Sequence, residues 1–338
     1  MASIPFIRAA AIAPIRRWIS EHGRDPGPFL ERAGLAWVPQ DDPYLPIPLR
    51  SVVCLLVEVS RAEGPDAPYR IVNGRGGFEL GLIGAAAFSE PTMRDGLRRL
   101  ARAMPQHCTH EIFSVTDEPN VIHIRDGWAI DIGDGEAKHL VQQYVAALIE
   151  MFCSKVGAPG PCVSKITMVP HPETGLRHLR AWVGDRLQAS DRATLDIMIA
   201  SEAADTPVPS AIRETALQRL PSHPPKDLRP GQNLSDDVIS LAIAMLGRTP
   251  PSLDGVAAAA GLTKRTLRRR LGEEGKRFSD LVEQARAEVA LRRLREDPSL
   301  ALNKLSRDLG YANQETLSRS VRRWSGISPR DFRKSEGA

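Results

Sequence analysis

Aromatic residues make up only 5% of this 338-residue chain, and cysteines number four. The thiols, Cys54, Cys108, Cys153 and Cys162, are scattered, with none of the tight pairings of a zinc site or a disulfide framework. Reduced, buried cysteines are therefore expected. Long apolar runs are missing too: Val52 to Val57 is typical, far short of the ~18 residues a membrane-spanning helix needs. The first residues lack the unbroken apolar core of a secretory signal, since Arg8, Arg16 and Arg17 interrupt it, so a cytoplasmic protein is expected. Also absent are G-x-S-x-G, H-E-x-x-H and P-loop patterns, which leaves no enzyme class with support.

What is present is an uneven charge. The whole chain carries 45 Lys/Arg against 41 Asp/Glu, a mild net +4. From Leu228 onward there are 21 basic and 14 acidic residues, while the preceding part is slightly acidic, at 24 against 27. Basic charge concentrated in one part is what a nucleic-acid-binding domain attached to something else looks like.

A boundary falls between Asp205 and Gly231, where Pro207, Pro209, Pro221, Pro224, Pro225 and Pro230 interrupt regular hydrogen bonding around one short helical stretch, Ser210 to Leu220. The expected organisation is a domain over 1–205, a proline-rich linker over 206–231 and a second domain over 232–334. The first domain is mixed. Ile7 to Glu21 and Leu49 to Ala62 have helical spacing, and Met93 to Met104 follows Thr92 as N-cap. His110 to Val115 and Val121 to Arg125 alternate across a turn and predict a hairpin. Ala137 to Cys153 reads as a long helix, with Ser164 to Val169 and Thr194 to Ala200 as strands. The fold class is α+β.

The second domain reads as all-α and contains a repeat. Ser235 is expected to cap a helix that Gly247 and Pro250-Pro251 stop, and Phe278 to Arg295 is a longer one ended by Asp297-Pro298. Around the long helix lie two similar units. Leu253 to Ala260 ends at Gly261 and Thr263 opens a helix running to Leu271; Leu302 to Leu309 ends at Gly310 and Asn313 opens a helix running to Trp324. One extra residue in the second turn aligns Leu267 with Leu317 and Leu271 with Val321. A helix, a glycine turn and a second helix form a unit whose second helix fits the DNA major groove. Two copies on one face of B-DNA would lie roughly 34 Å apart, one helical turn.

These residues resemble the AraC/XylS family of bacterial transcription regulators. Ser252-Leu253, Ala260-Gly261-Leu262-Thr263, Arg265 to Leu271, Glu273-Glu274-Gly275 and Phe278 carry the likeness in the first unit. In the second it rests on Gly310-Tyr311, Leu317-Ser318-Arg319, Arg322 to Pro329 and Phe332-Arg333. Leu317 and Val321 depart from the family's usual phenylalanines. The resemblance implies two helix-turn-helix units joined by a long helix. It places Arg265, Arg268 and Arg269, with Gln314, Glu315 and Arg319, at the base-reading positions. Arg can pair with guanine, Gln with adenine and Glu with cytosine. Lys264, Arg270, Arg322 and Arg323 are expected on phosphates, and Thr263 and Asn313 at the helix starts join the DNA-contacting set.

Before the linker, Phe29 to Leu35, Pro46 to Leu49, Leu80 to Gly84, Ser89 to Thr92 and Leu97 to Arg102 resemble the arabinose-binding-like effector domain of the same family, with a departure at Arg94-Asp95-Gly96. That likeness implies a small organic effector, a homodimer and contact with RNA polymerase, in an activator without enzymatic activity. It leaves the effector and its pocket residues unassigned, and the residues leave repression open. Two other readings compete: a DNA-repair alkyl acceptor fused to a helix-turn-helix module, against which the unclustered cysteines count, and an architectural DNA protein that takes no ligand. Neither His107-Cys108-Thr109-His110 nor Asp131 to Glu136 has the spacing of a metal site, and the latter suits a turn capping the next helix.

Overall fold

A computed structural model describes residues 3–72, 77–158, 162–223, 225–297 and 299–335. Pro224 and Pro298, both named above as helix breakers, lie outside that set. The chain divides into two compact units, a larger one over Pro5–Arg229 and a smaller one from Pro230 onward that also takes in the residues up to Ile4.

In chain order the larger unit contains β1 (Phe6–Arg8), α1 (Ala13–Glu21), α2 (Gly27–Arg32), β2 (Pro46–Pro48), α3 (Leu49–Glu63), α4 (Ala67–Val72), α5 (Leu82–Phe88), α6 (Met93–His107), β3 (Glu111–Glu118) and β4 (Val121–Trp128). There follow α7 (Gly135–Val156), β5 (Val163–Met168), α8 (Arg180–Val183), β6 (Leu187–Ala189), β7 (Leu195–Ala200), α9 (Ser201–Ala204) and α10 (Ser210–Arg219). Five strands form one sheet in the order β3-β4-β7-β5-β6, antiparallel except for the β5–β6 pair. The alternation that marked the hairpin now has a cause: Ile122 and Ile124 point into the core with Leu195, Ile197 and Ile199. Above them lies α7, whose Asp134 cap accepts from the Ala137 amide at 3.0 Å. The turn expected over Asp131 to Glu136 is that cap.

Four features differ from the sequence reading. Phe6–Arg8 is a strand rather than the start of a helix, because it pairs antiparallel with Pro46–Pro48, a partner some forty residues away. The α-helix starts only at Ala13, after one 3-10 turn over Ala9–Ile12. Cys54 is exposed on α3, unlike the three buried cysteines. The proline-rich stretch from Thr206 to Arg229 is not a free tether, for it folds back onto the larger unit. The Thr206 carbonyl accepts from the Met93 amide at 3.1 Å, Val208 donates to the Pro91 carbonyl at 2.9 Å, α10 packs on α5, and Leu228 donates to the Pro105 carbonyl at 2.9 Å. Prolines exclude sheet and helix pairing there without preventing isolated backbone bonds.

The smaller unit is helical: α11 (Leu234–Met245), α12 (Leu253–Ala259), α13 (Lys264–Glu273), α14 (Phe278–Glu296), α15 (Leu302–Asp308), α16 (Gln314–Ser325) and α17 (Pro329–Ser335). Asn233, not Ser235, caps α11, accepting from the Asp236 amide at 2.9 Å. Ser235 instead sits in the first turn, where its amide and that of Leu234 donate to the Glu274 carboxylate at 3.0 and 3.1 Å. That carboxylate satisfies amides no helical carbonyl can reach and complements the positive end of the helix. It ties the end of α13 to the start of α11.

Candidate nucleic-acid interface and ligand cavity

The two helix-turn-helix units are built from the same parts. After α12 the Leu262 amide donates to the Ala257 carbonyl at 2.8 Å and the Gly261 amide to Ala258 at 2.9 Å; after α15 Tyr311 donates to Ser306 at 2.8 Å and Gly310 to Arg307 at 3.0 Å. Both glycines are left-handed, with φ of 65° and 73°. This doubly bonded ending reverses the chain within a few residues and needs a left-handed residue that costs glycine little. Next comes a side-chain cap. Thr263 accepts from the Thr266 amide at 3.1 Å, and Asn313 from the Thr316 amide at 2.9 Å.

Inward-facing residues set the pose of each second helix. Leu267 and Leu271 on α13, and Leu317 and Val321 on α16, are all 0 to 1% exposed. The second pair packs with Ala285, Val289 and Leu294 of α14, with Leu305 and Leu309, and with Phe332 of α17. Leu317 and Val321 thus fill their sites despite replacing larger side chains.

Every one of Thr263, Lys264, Arg265, Arg268, Arg269, Asn313, Gln314, Glu315, Arg319 and Arg322 is exposed. Arg265 and Arg268 extend outward with no ion pair among the described residues. Others have local partners. Lys264 Nζ meets Asp254 at 2.6 Å, Arg269 pairs with Glu273 one turn on, and Arg319 Nη2 donates to Thr316 Oγ1 at 3.4 Å. Arg323 pairs with Glu283 of α14, which gives it a role in the fold, and Arg270 is half-buried.

The larger unit holds two neighbouring cavities of about 80 and 70 Å³, each with an open mouth. Their shared wall is Leu80, Ile83, Glu111, Val145 and Leu148. The rest is almost all aliphatic or aromatic, with His107, Trp128 and Tyr144 the other polar-bearing residues. Sequence reasoning missed this site because its lining comes from α1, α3, α5, α6, α7 and β3 at no fixed spacing. The one local signal was a glutamate at the start of the alternating strand β3.

Glu111 and Asp126 lie on one face of the hairpin, since Glu111 stands opposite Trp128 and Phe113 opposite Asp126. Burial raises both carboxyls above the usual range. Glu111 raises Asp126 further by like-charge repulsion, while contacts from Asp126 and Cys108 partly offset the rise at Glu111. Burial also pushes the His107 imidazole down to about 3, so it is neutral at ordinary pH. For Asp126 the sign is definite: the unfolded chain releases this proton in the ordinary carboxylate range while the folded chain retains it, so wild-type stability falls as pH rises through that window. Asp126→Asn, a mimic of the protonated form, is expected to melt increasingly above the wild type from pH 5 to pH 8. A pH series of urea midpoints checks it, and a constant difference would show that Asp126 is already ionised in the folded chain at pH 5.

A third cluster joins His139, His171 and His178. His139 Nε2 lies 3.0 Å from His178 Nε2, and His139 Nδ1 reaches the Val169 carbonyl at 2.7 Å. Burial lowers the first and last to about 4. Two backbone amides donate to His171 Nδ1, at 3.2 and 3.3 Å, which leaves its proton on Nε2 and unsuits it as a metal ligand. Among the described residues no group of His, Cys, Asp and Glu is arranged to hold a metal ion.

Comparison with known proteins follows the division into units. Residues 256–335 match the family described as "Helix-turn-helix domain", and residues 23–207 match "Arabinose-binding domain of AraC transcription regulator, N-term". The chain is 26% identical over 349 aligned positions to the HTH-type transcriptional regulator VirS of Mycobacterium tuberculosis, covering 98% of this chain and 97% of that one. Its similarity to the HTH-type transcriptional regulator VqsM of Pseudomonas aeruginosa is 36% over 85 residues, covering 25% of this chain and 26% of that one. The crystal structure of transcriptional regulator CdpR from Pseudomonas aeruginosa aligns over 95% of this chain and 96% of its own, with 16% identity and a TM-score of 0.43. An arabinose-binding-type N-terminal match over more than half of the chain, followed by a helix-turn-helix match, makes this protein a member of the AraC/XylS family of DNA-binding transcription regulators.

Proposed function

We propose that Arg265, Arg268 and Arg269 on α13, and Gln314, Glu315 and Arg319 on α16, read base edges in successive major-groove segments, with Lys264 and Arg322 on the flanking phosphates. The observation that carries this reading is the equivalence of the two units. The same turn and the same kind of cap precede second helices whose buried pairs, Leu267 with Leu271 and Leu317 with Val321, turn these side chains outward. Thr263 and Asn313 sit at helix N-termini, where exposed amides favour an approaching phosphate. An effector in the cavity of the larger unit shifts DNA affinity or activity, in a cytoplasmic homodimer that contacts RNA polymerase and activates transcription. The coupling needs the effector to favour one DNA-binding state by about 1–3 kcal/mol.

The thiols support a binding role over alkyl acceptance. Burial raises Cys108, contact with the Cys162 thiol and then burial raise Cys153, and the exposed Cys54 is raised as well, whereas a reactive thiol is held low and accessible. Selection of the full chain against a random duplex library, followed by anisotropy titrations in increasing salt, tests the proposal. An enriched motif with two half-sites about one turn apart is expected. Lys264→Ala is expected to weaken all sequences equally and to reduce the salt slope by about 1. Equal affinity for every duplex would instead mark an architectural protein.

A further inference from the structure

We infer that the cavity of the larger unit takes an amphiphile: a hydrocarbon body with one uncharged or cationic head that donates hydrogen bonds to Glu111, and neither a sugar nor a carboxylate. This rests on the effector reading above and specifies its ligand class.

The walls decide the body. Ile15, Leu56, Ile83, Val145 and Leu148 line the first cavity, and Phe88, Phe113 and Phe152 extend the second beyond the shared wall. Such surfaces gain by removing apolar area from water. A sugar would bring several hydroxyls to walls that cannot pair with them, and each hydroxyl left unpaired on burial weakens binding.

The polar groups decide the head. Among the described residues no lysine or arginine lines either cavity, so there an anion meets no counter-charge and faces the Glu111 carboxyl. Tyr144 Oη is engaged with the Ala11 carbonyl at 3.4 Å, and Trp128 Nε1 is buried without a hydrogen-bond partner. Neither oxygen of the buried Asp126 makes a hydrogen bond of ordinary geometry. Asp126 does not line either cavity, so among the described residues the site offers one carboxyl, that of Glu111, and no cation. A hydroxyl or an ammonium supplies what it lacks, and Glu111, which belongs to both cavity walls, is the group positioned to receive it.

Thermal-shift titration of the full chain with 1-octanol, octylamine, octanoate and arabinose tests this, since a ligand preferring the native state raises the melting temperature. Octanol and octylamine are expected to raise it with dose, and octanoate and arabinose at equal concentration to leave it unchanged. Leu148→Trp, which fills the shared wall, is expected to remove both shifts. Should that variant fail to fold, Glu111→Gln serves: it is expected to weaken octylamine on the order of tenfold and octanol much less, because only the amine loses a charged partner. A shift with octanoate or arabinose as large as with octylamine, a shift indifferent to both substitutions, or none with any probe overturns the inference. DNA titrations separate it from the regulator reading. A chain that grips its selected duplex but ignores all four probes loses only the ligand class. One that binds octylamine with unchanged DNA affinity and transcription loses only the effector coupling.

Discussion

The Gly96→Ala variant is expected to destabilise the larger unit by about 3 kcal/mol or more, the upper range for overpacking a filled core. Gly96 is buried in α6 where that helix crosses α5. A Cβ at this position would lie 2.1 Å from the Ala87 carbonyl oxygen and 3.0 Å from Phe152 Cζ. Backbone cannot rotate out of the way as a side chain does, so the two helices would have to separate and open the core around Phe88, Met93 and Leu97. The same crossing supplies Ala87, Phe88, Leu100 and Met104 to the second cavity, and Phe152 of α7 packs beside it, so ligand binding is expected to fall along with stability. Gly272→Ala provides the contrast. Its Cβ would meet nothing within 4 Å on α13, and the helix should gain about 0.5–1 kcal/mol. Urea denaturation of both variants checks the pair; a Gly96→Ala change below about 0.5 kcal/mol, no more than a typical surface substitution, would mean that α5 and α6 slide apart freely.

Gly96 also shows what the sequence made legible and what it did not. Arg94-Asp95-Gly96 stood out as a departure from the family, yet the reason is spatial. Arg94 reaches Asp205 at 2.7 Å and also pairs with Asp117, the Asp95 carboxylate accepts from Thr92 Oγ1 at 2.7 Å, and Gly96 admits α5. The Thr92 cap was readable because its partners lie within one turn. So were the β3–β4 hairpin, the α7 start and both helix-turn-helix units, all of which rest on contacts between near neighbours in sequence. Phe6–Arg8 was misread because a three-residue strand carries no period of its own and exists only through Pro46–Pro48. The order of the five-stranded sheet, the cavity walls and the Glu111–Asp126 pair depend likewise on distant pairing. The exposed faces of α13 and α16 were readable because helix exposure is a local property; the cavity lining was not, because it is gathered from distant elements.

Arg269→Ala is expected to cost about 1–3 kcal/mol at the selected duplex and to relax base preference at one position of it. The fold should scarcely notice. Arg269 and Glu273 are 61% and 57% exposed, and an exposed pair one turn apart contributes only about 0.3–0.5 kcal/mol to a helix, while alanine is a good helix former. Lost affinity would therefore report on DNA and not on unfolding. The pair also implies a competition, because binding a base requires Arg269 to leave Glu273, and the freed carboxylate then sits close to the phosphates. Glu273→Gln removes both penalties and is expected to tighten binding by a few tenths of a kcal/mol to about 1 kcal/mol, more so at low salt. In the double variant that gain should shrink, since there is no arginine left to release. Anisotropy titrations against duplexes differing at single positions give all four affinities. A loss equal on every duplex, with a shallower salt dependence, would assign Arg269 to a phosphate and leave Arg265 and Arg268, which have no internal partner to give up, as the base readers of the first unit.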